Sequence, residues 1–549
     1  MTHLWTRREA VAALLGWQVA MTGCGGRGPE KDIEGKIVGP AVGLGHKIRD
    51  GGRIEPAEDA WEDVPVVIVG GGVAGLTAAW RLKGGGCDKF VLLELESTAG
   101  GTARSDSSQI TAYPWGAHYV PAPQADNHAL LRLLADVGAV EGWNEAGEPM
   151  FAESCLCRAP EERVFYKGRW YEGLYLHVGA NEQDRTQLAA FLKEVEHWAA
   201  WRDGRGRKAF ALPLAASSDD AEVTELDRLS MGEWLNQRGW NSPRLRWLID
   251  YSCRDDYGLT LDQTSAWAGL FYFAARIQHS ALEPQPLLTW PEGNGRLVHH
   301  LADQVAGHIR LNHAVADIRP QQGLAEAQTK WEVLALVDQG KRAVGFRAEQ
   351  VIFAAPQFMA RHLLQPYRER PPAHLNSFTY GSWLVANLFL HSRPQDVGVP
   401  MAWDNVLYES QSLGYVSATH QAGADHGPTV WTYYFPFCDA DPRAARTRLL
   451  QQDWATCADV VLSDLSMAHR GLRPLVERLD VMRWGHAMVR PEPGFLWGPH
   501  RRVAQAGFHG IQFAHCDLSG LPLFEEAFYH GLRAAEAVLE RQGELKSWL

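Results

Sequence analysis

Between Val64 and Glu94 the chain reads VPVVIVGGGVAGLTAAWRLKGGGCDKFVLLE, and no other stretch limits the fold so tightly. Val66 to Val69 form a short β-branched run, Gly70-x-Gly72-x-x-Gly75 follows at once, and an Ala- and Leu-rich helix continues through about Leu82. A second apolar strand, Phe90 to Leu93, ends in Glu94. Each part has a physical task. Gly70 makes the tight turn, Gly72 lets the backbone approach a pyrophosphate, and Gly75 lets helix and strand pack closely. The helix N-terminus offers unpaired N–H groups to the phosphates, and Glu94 is spaced to accept hydrogen bonds from a ribose. A lone glycine triplet says little. The complete order of strand, turn, helix, strand and acid specifies a dinucleotide-binding βαβ unit.

Downstream of Glu94 a second glycine motif appears, Gly100-Gly101-Thr102-Ala103-Arg104-Ser105, six residues after the acid. Together with Trp115-Gly116-Ala117-His118-Tyr119 and the C-terminal Phe513-Ala514-His515-Cys516-Asp517-Leu518-Ser519-Gly520 and Phe524-Glu525-Glu526-Ala527, it resembles the FAD-dependent oxidoreductases of the flavin amine oxidase and phytoene desaturase-like superfamily. The resemblance implies an α/β fold, with a Rossmann-like, glutathione reductase-like FAD-binding domain interleaved with an α+β substrate-binding domain. It implies FAD as the cofactor, held by Gly70, Gly72, Ala74, Gly75, Glu94, Gly100, Gly101, Thr102, Arg104, Gly116, Ala117, Val315, Asp517, Glu526 and Ala527. In that family Val315 meets the adenine through its backbone, Asp517 serves the phosphate and ribityl region, and the helix opening near Phe524 lies under the flavin pyrimidine. Motifs at both ends of the chain have to meet in space, so the flavin domain is discontinuous.

With 549 residues the chain exceeds one simple domain, and 46% hydrophobic residues with 22 tryptophans describe a globular protein with aromatic-lined interior surfaces. A formal charge of -12 and the lack of a basic stripe exclude nucleic acid as a partner. The eight cysteines show neither CxxC nor zinc spacing, and no metal site is expected.

Residues 1–24 carry a message about location. Arg7-Arg8 precede the apolar run Ala10 to Ala20, too short to span a bilayer, and small residues lead into Cys24. This resembles a twin-arginine signal with a lipoprotein-type cleavage site, implying a periplasmic protein or one on the outer face of the membrane, tethered through Cys24 if it is lipidated. Residues 25–63, rich in Gly, Pro and charge, read as a linker or surface arm.

The expected FAD-binding domain comprises 64–150, 285–358 and 479–549, and the substrate domain 151–284 and 359–478. Within them the pattern predicts a helix over Asn127 to Val137, a hairpin turning at Lys167-Gly168, a helix over Gln187 to Trp201, and one capped by Ser230. Residues 331–337 and 342–348 read as a hairpin, and Gln350 to Pro356 as a closing strand.

Chemistry in this class is carried mostly by the flavin, which accepts a hydride at N5. Trp484, His486 and His118 are the candidate catalytic residues. Trp484 either stacks on a substrate or packs in the core. His486 either titrates near neutral pH or bonds a backbone carbonyl, and His118 is either a flavin neighbour or a structural donor. Family amine oxidases place a lysine near N5; the matching strand here, Trp383 to Phe389, has Val385 at that place and no lysine. Three functions stay open. One is an exported oxidoreductase dehydrogenating a small organic substrate, such as an amine, with dioxygen or a membrane electron carrier as acceptor. The second is a desaturase or isomerase of an unsaturated lipid-like substrate. The third is a membrane-tethered flavoprotein with an electron-transfer or assembly role. An amine requires carboxylates in the pocket; an apolar isoprenoid requires an aliphatic tunnel.

Overall fold

The strand ahead of the glycine turn, Val66–Val69, is buried on both faces, and its alternation is read by two separate cores. Val66 and Ile68 pack with the helices on one side, Val67 and Val69 with a β-meander on the other. The computed structural model describes residues 33–277, 286–321, 330–543 and 546–549. The expected signal segment and Cys24 lie outside the described residues. Glu34–Leu549 form one compact unit.

Around Val66–Val69 a five-stranded sheet assembles in the order Ile309–Arg310, Phe90–Leu93, Val66–Val69, Gln350–Phe353, Ile511–Phe513, with every pair parallel. Its strands come from the whole length of the chain. The helices Val73–Gly84 and Phe524–Gln542 cross on one face, where a Cβ at Gly531 would lie 2.4 Å from the Ala74 carbonyl oxygen. The meander Ala314–Pro320, Trp331–Val337 and Arg342–Ala348 covers the other.

The second domain is built on an eight-stranded sheet whose spine is Tyr380–Leu390 against Val476–Val489, antiparallel. The helices Glu182–Ala200, Met231–Gln237, Pro243–Tyr257 and Ala266–Ala274 form a separate core beside it. Ser230 caps its helix reciprocally with Glu233. Lys167 and Gly168, with φ of 47° and 83°, make the expected hairpin turn.

One boundary drawn from the sequence is corrected and one segment is resolved between its two readings. The division at 479 cuts through Val476–Val489, which pairs along its length with Tyr380–Leu390 and belongs to the large sheet. Of the two readings of 25–63, linker or surface arm, the residues from Glu34 on follow the second and are laid against the fold. Ile37–Gly39 adds a parallel edge to the large sheet and Trp61–Asp63 adds one to the meander. Glycine content masked both strands, since each is only three residues long.

Candidate active site

The cleft begins at the glycine turn. Gly70 holds φ +104°, and a Cβ at Gly75 would lie 1.9 Å from the Gly70 carbonyl oxygen, so helix and strand meet at a distance only glycine permits. Gly72 behaves oppositely. A Cβ there would meet nothing within 4 Å, so its backbone borders open space. No side chain caps the helix that begins beyond it, which leaves the first-turn N–H groups for an anion. Glu94 accepts from Gly71 N–H at 2.6 Å and Glu96 N–H at 2.8 Å. Burial pushes its carboxyl up against those two bonds.

The second glycine pair docks onto the first. Gly100 N–H donates to Gly71 O at 2.7 Å, and Gly101, at φ +58°, lies beside Gly72. Ala117 N–H donates to Thr102 O and Trp115 N–H to Arg104 O, both at 3.0 Å, which lays the 115–119 loop against the turn. Gly116 fits because a Cβ would lie 2.1 Å from Thr102 O. The segment leading to Val315 is tied to the acid by His313 N–H on Glu94 O at 2.8 Å. Eleven of the expected positions, Gly70 through Ala117, therefore converge on one cleft, and Val315 flanks it.

The C-terminal residues contribute differently from the sequence reading. The Asp517 carboxylate is taken up by protein, accepting from Gln357 N–H at 2.8 Å and Tyr380 OH at 2.6 Å, with His515 Nδ1 at 3.0 Å. Burial raises its pKa, but the His515 imidazole and these bonds outweigh it and hold the carboxyl low. Glu526 accepts from Leu214 N–H at 2.6 Å and from the Ser519 hydroxyl, and burial pushes it up to about 7. Its side chain anchors the helix start to the second domain. Ala527 lies in the helix core.

Trp484 sits at the cleft. Its indole N–H donates to Trp115 O at 2.7 Å, and the Arg104 guanidinium lies 5.4 Å from its ring. Of the two readings of His486, titration near neutral pH does not fit its surroundings. Its ring stacks on Phe358 at 4.0 Å, and burial pushes its pKa down to about 3. Burial likewise takes His118 to about 4; its Nδ1 lies 3.3 Å from Gly116 O, and its ring stacks on Tyr434 at 4.8 Å. Both imidazoles are neutral at neutral pH. Val385 is buried, and Tyr380–Leu390 contains no lysine.

One group of residues escaped the sequence reading altogether. Beyond His118 on the same loop, Tyr119 OH reaches Asp255 at 3.3 Å and Asp256 at 3.1 Å. Tyr251 OH donates to Asp404 at 2.9 Å, and Glu162 is the register partner of Asp404 on the neighbouring parallel strand. Arg276 pairs with Asp256 at 2.5 Å. No hydrogen bond or ion pair reaches the Glu162 carboxylate among the described residues. Burial and neighbouring carboxylates push Glu162 to about 7 and raise Asp255 and Asp404. Asp255 and Asp256 also end the helix Pro243–Tyr257, where the dipole is negative. Glu162, Asp255 and Asp404 each keep part of their surface uncovered, so they border space within the fold. The one sequence signal was two acids in a buried stretch, Tyr251 to Tyr257.

Residues 73–539 match the sequence pattern of the flavin-containing amine oxidoreductases. No curated protein sequence matches the chain. Among solved structures, a cofactor-site variant of putrescine oxidase aligns with a TM-score of 0.64 at 16% identity, covering 88% of this chain and 100% of that one. Cyclohexylamine oxidase from Brevibacterium oxydans gives 0.61 at 14%, with the same coverage. A CLA-producing fatty acid isomerase from P. acnes gives 0.59 at 16%, covering 87% of this chain and 98% of that one. These likenesses share the fold. The open face at Gly72, the uncapped helix and the paired glycine turns fit the FAD that the matched family carries. The chain belongs to the flavin-containing amine oxidoreductases and is an FAD-dependent oxidoreductase.

Proposed function

We propose that the protein dehydrogenates an amine at a C–N bond, after export to the periplasm or the outer membrane face, with dioxygen or a membrane carrier as final acceptor. The observation that carries this reading is the group Glu162, Asp255, Asp256 and Asp404, against which Arg276 is the one cation ion-paired among the described residues. Like charges at register positions of adjacent strands are unfavourable, and a fold that keeps them enclosed leaves room for a positive guest. A lipid-like substrate gains nothing from such a site, which sets the desaturase or isomerase reading second.

FAD, when bound, supplies the two-electron acceptor. The chain supplies the rest. The uncapped helix beyond Gly72 and Glu94 bind and orient the cofactor; Trp115, Trp484 and Tyr434 close the loop against the large sheet and exclude water. Tyr434 OH donates to Gly116 O at 2.9 Å, fixing the loop that presents His118 and Tyr119. Neutral His118 is able to accept a hydrogen bond at Nε2 while Nδ1 faces Gly116 O.

Anaerobic loss of the visible flavin absorbance, followed against panels of amines and of unsaturated lipids, tests the reading. Bleaching by amines is expected. Bleaching by lipids alone would transfer the assignment to the second reading, and no bleaching by either would favour the tethered electron-transfer or assembly role.

A further inference from the structure

Residues 34–55 cross the molecule from one domain to the other, and the elements they touch on the way are those that frame the dinucleotide cleft. The arm starts on the edge of the large sheet, where Leu479 N–H donates to Glu34 O and Val481 N–H to Lys36 O, both at 2.8 Å. The fit there is close. A Cβ at Gly35 would lie 1.9 Å from Leu479 O.

At Gly39 the arm reaches the side chain of Arg104, and Ala41 N–H donates to Glu96 Oε1 at 2.8 Å. Arg104 belongs to the second glycine motif, and Glu96 follows the ribose acid by two residues and lies 3.7 Å from Arg104. The helix Val42–Arg49 then drops Ile48 into the core that holds Val315, with Leu44 packed against it. Lys47 donates to Gly340 O at 2.6 Å, Arg53 to His362 O at 3.0 Å, and Glu55 receives a two-pronged pair from Arg319 at 2.8 Å. The arm is thus fastened at both ends and passes Glu96, Arg104 and the Val315 strand between its fastenings.

We propose that residues 34–55 are a clasp over the FAD cleft, retaining the cofactor by blocking its path. A segment that only stabilised the fold would slow FAD loss without slowing its return. A clasp slows both, because the same obstruction meets the cofactor in either direction.

The test uses the full-length flavoprotein carrying Gly35→Val with Ile48→Ser, and separately Ala41→Pro. The first pair prises the arm from the sheet edge and from the core. The second removes only the N–H donated to Glu96, at a position whose φ of -71° proline adopts. FAD release into excess apoflavodoxin-type scavenger and rebinding of FAD to the stripped protein are followed by flavin fluorescence, with far-UV circular dichroism as the check on folding. Release and rebinding both at least tenfold faster in the double variant, and both faster in Ala41→Pro, are expected. Unchanged release, or faster release with unchanged or slower rebinding, overturns the clasp. If the double variant does not fold, Ala41→Pro decides by the same two rates.

Discussion

The two halves of the site are built on opposite terms. Around the glycine turns the Glu94 carboxylate and the backbone of the paired turns find partners a few residues away or on an adjacent strand, and the uncapped helix start is left to the open face at Gly72. At the second domain, among the described residues, Tyr119, Tyr251 and a single arginine serve four carboxyls, and the Glu162 side chain is left unbonded. The cofactor half is preorganised by local hydrogen bonds; the other half encloses carboxyls that are short of partners. Cofactor identity follows from shape that the backbone alone can make. The four carboxyls are assembled out of three separate elements, the strands that begin at Glu162 and Asp404 and the helix Pro243–Tyr257.

The largest expected effect breaks the first half. Gly75→Val forces a side chain into the Gly70 carbonyl, and we expect complete loss of bound flavin with destabilisation of about 3 kcal/mol or more, read by absorbance and thermal melting. A variant that binds FAD normally would refute the close-packing role. The second breaks the other half and leaves the first alone. Asp404→Asn with Glu162→Gln should raise the KM for an amine roughly 10- to 100-fold, the cost of losing charge-assisted bonds, at unchanged flavin content. A change confined to kcat would speak against cation binding.

The same acids set a pH dependence. Glu162, raised from 4.5 to about 7, keeps its proton in the folded state where the unfolded chain has lost it. The stability it contributes is therefore full below about pH 4.5 and lost as pH rises through about 7. Glu162→Gln should flatten the decline of melting temperature across that window, and a slope equal to the wild type's would show that this carboxyl is not so enclosed. The smallest effect sharpens the boundary between the halves. Trp484→Phe removes one hydrogen bond to Trp115 O, worth about 1 kcal/mol, and should shift the flavin absorbance slightly while binding persists.

What the sequence made legible follows the same division. The glycine turns, Glu94, the Ser230 cap and the Lys167-Gly168 hairpin are local devices whose residue types announce their geometry. The Asp255-Asp256 pair meets Tyr119, and Glu162 meets Asp404, only after folding, so no local spacing marks them. His486 and His118 look titratable by residue type alone; burial, under a stacked phenyl ring and a stacked phenol, suppresses that, and neither is visible in the neighbouring sequence. Glu526 matched a flavin motif, but its carboxylate is spent on Leu214 N–H and Ser519.

The parallel sheet takes its second strand in space from residues 90–93 and its last from residues 511–513. Non-local pairing of this kind is slow to form, and a chain growing from its N-terminus meets it last. Until Ile511–Phe513 leaves the ribosome, the glycine turn exists with an unfinished sheet beneath it. On that order FAD capture is expected only after translation is nearly complete, and a premature stop ahead of Ile511 is expected to abolish the holoprotein instead of weakening it.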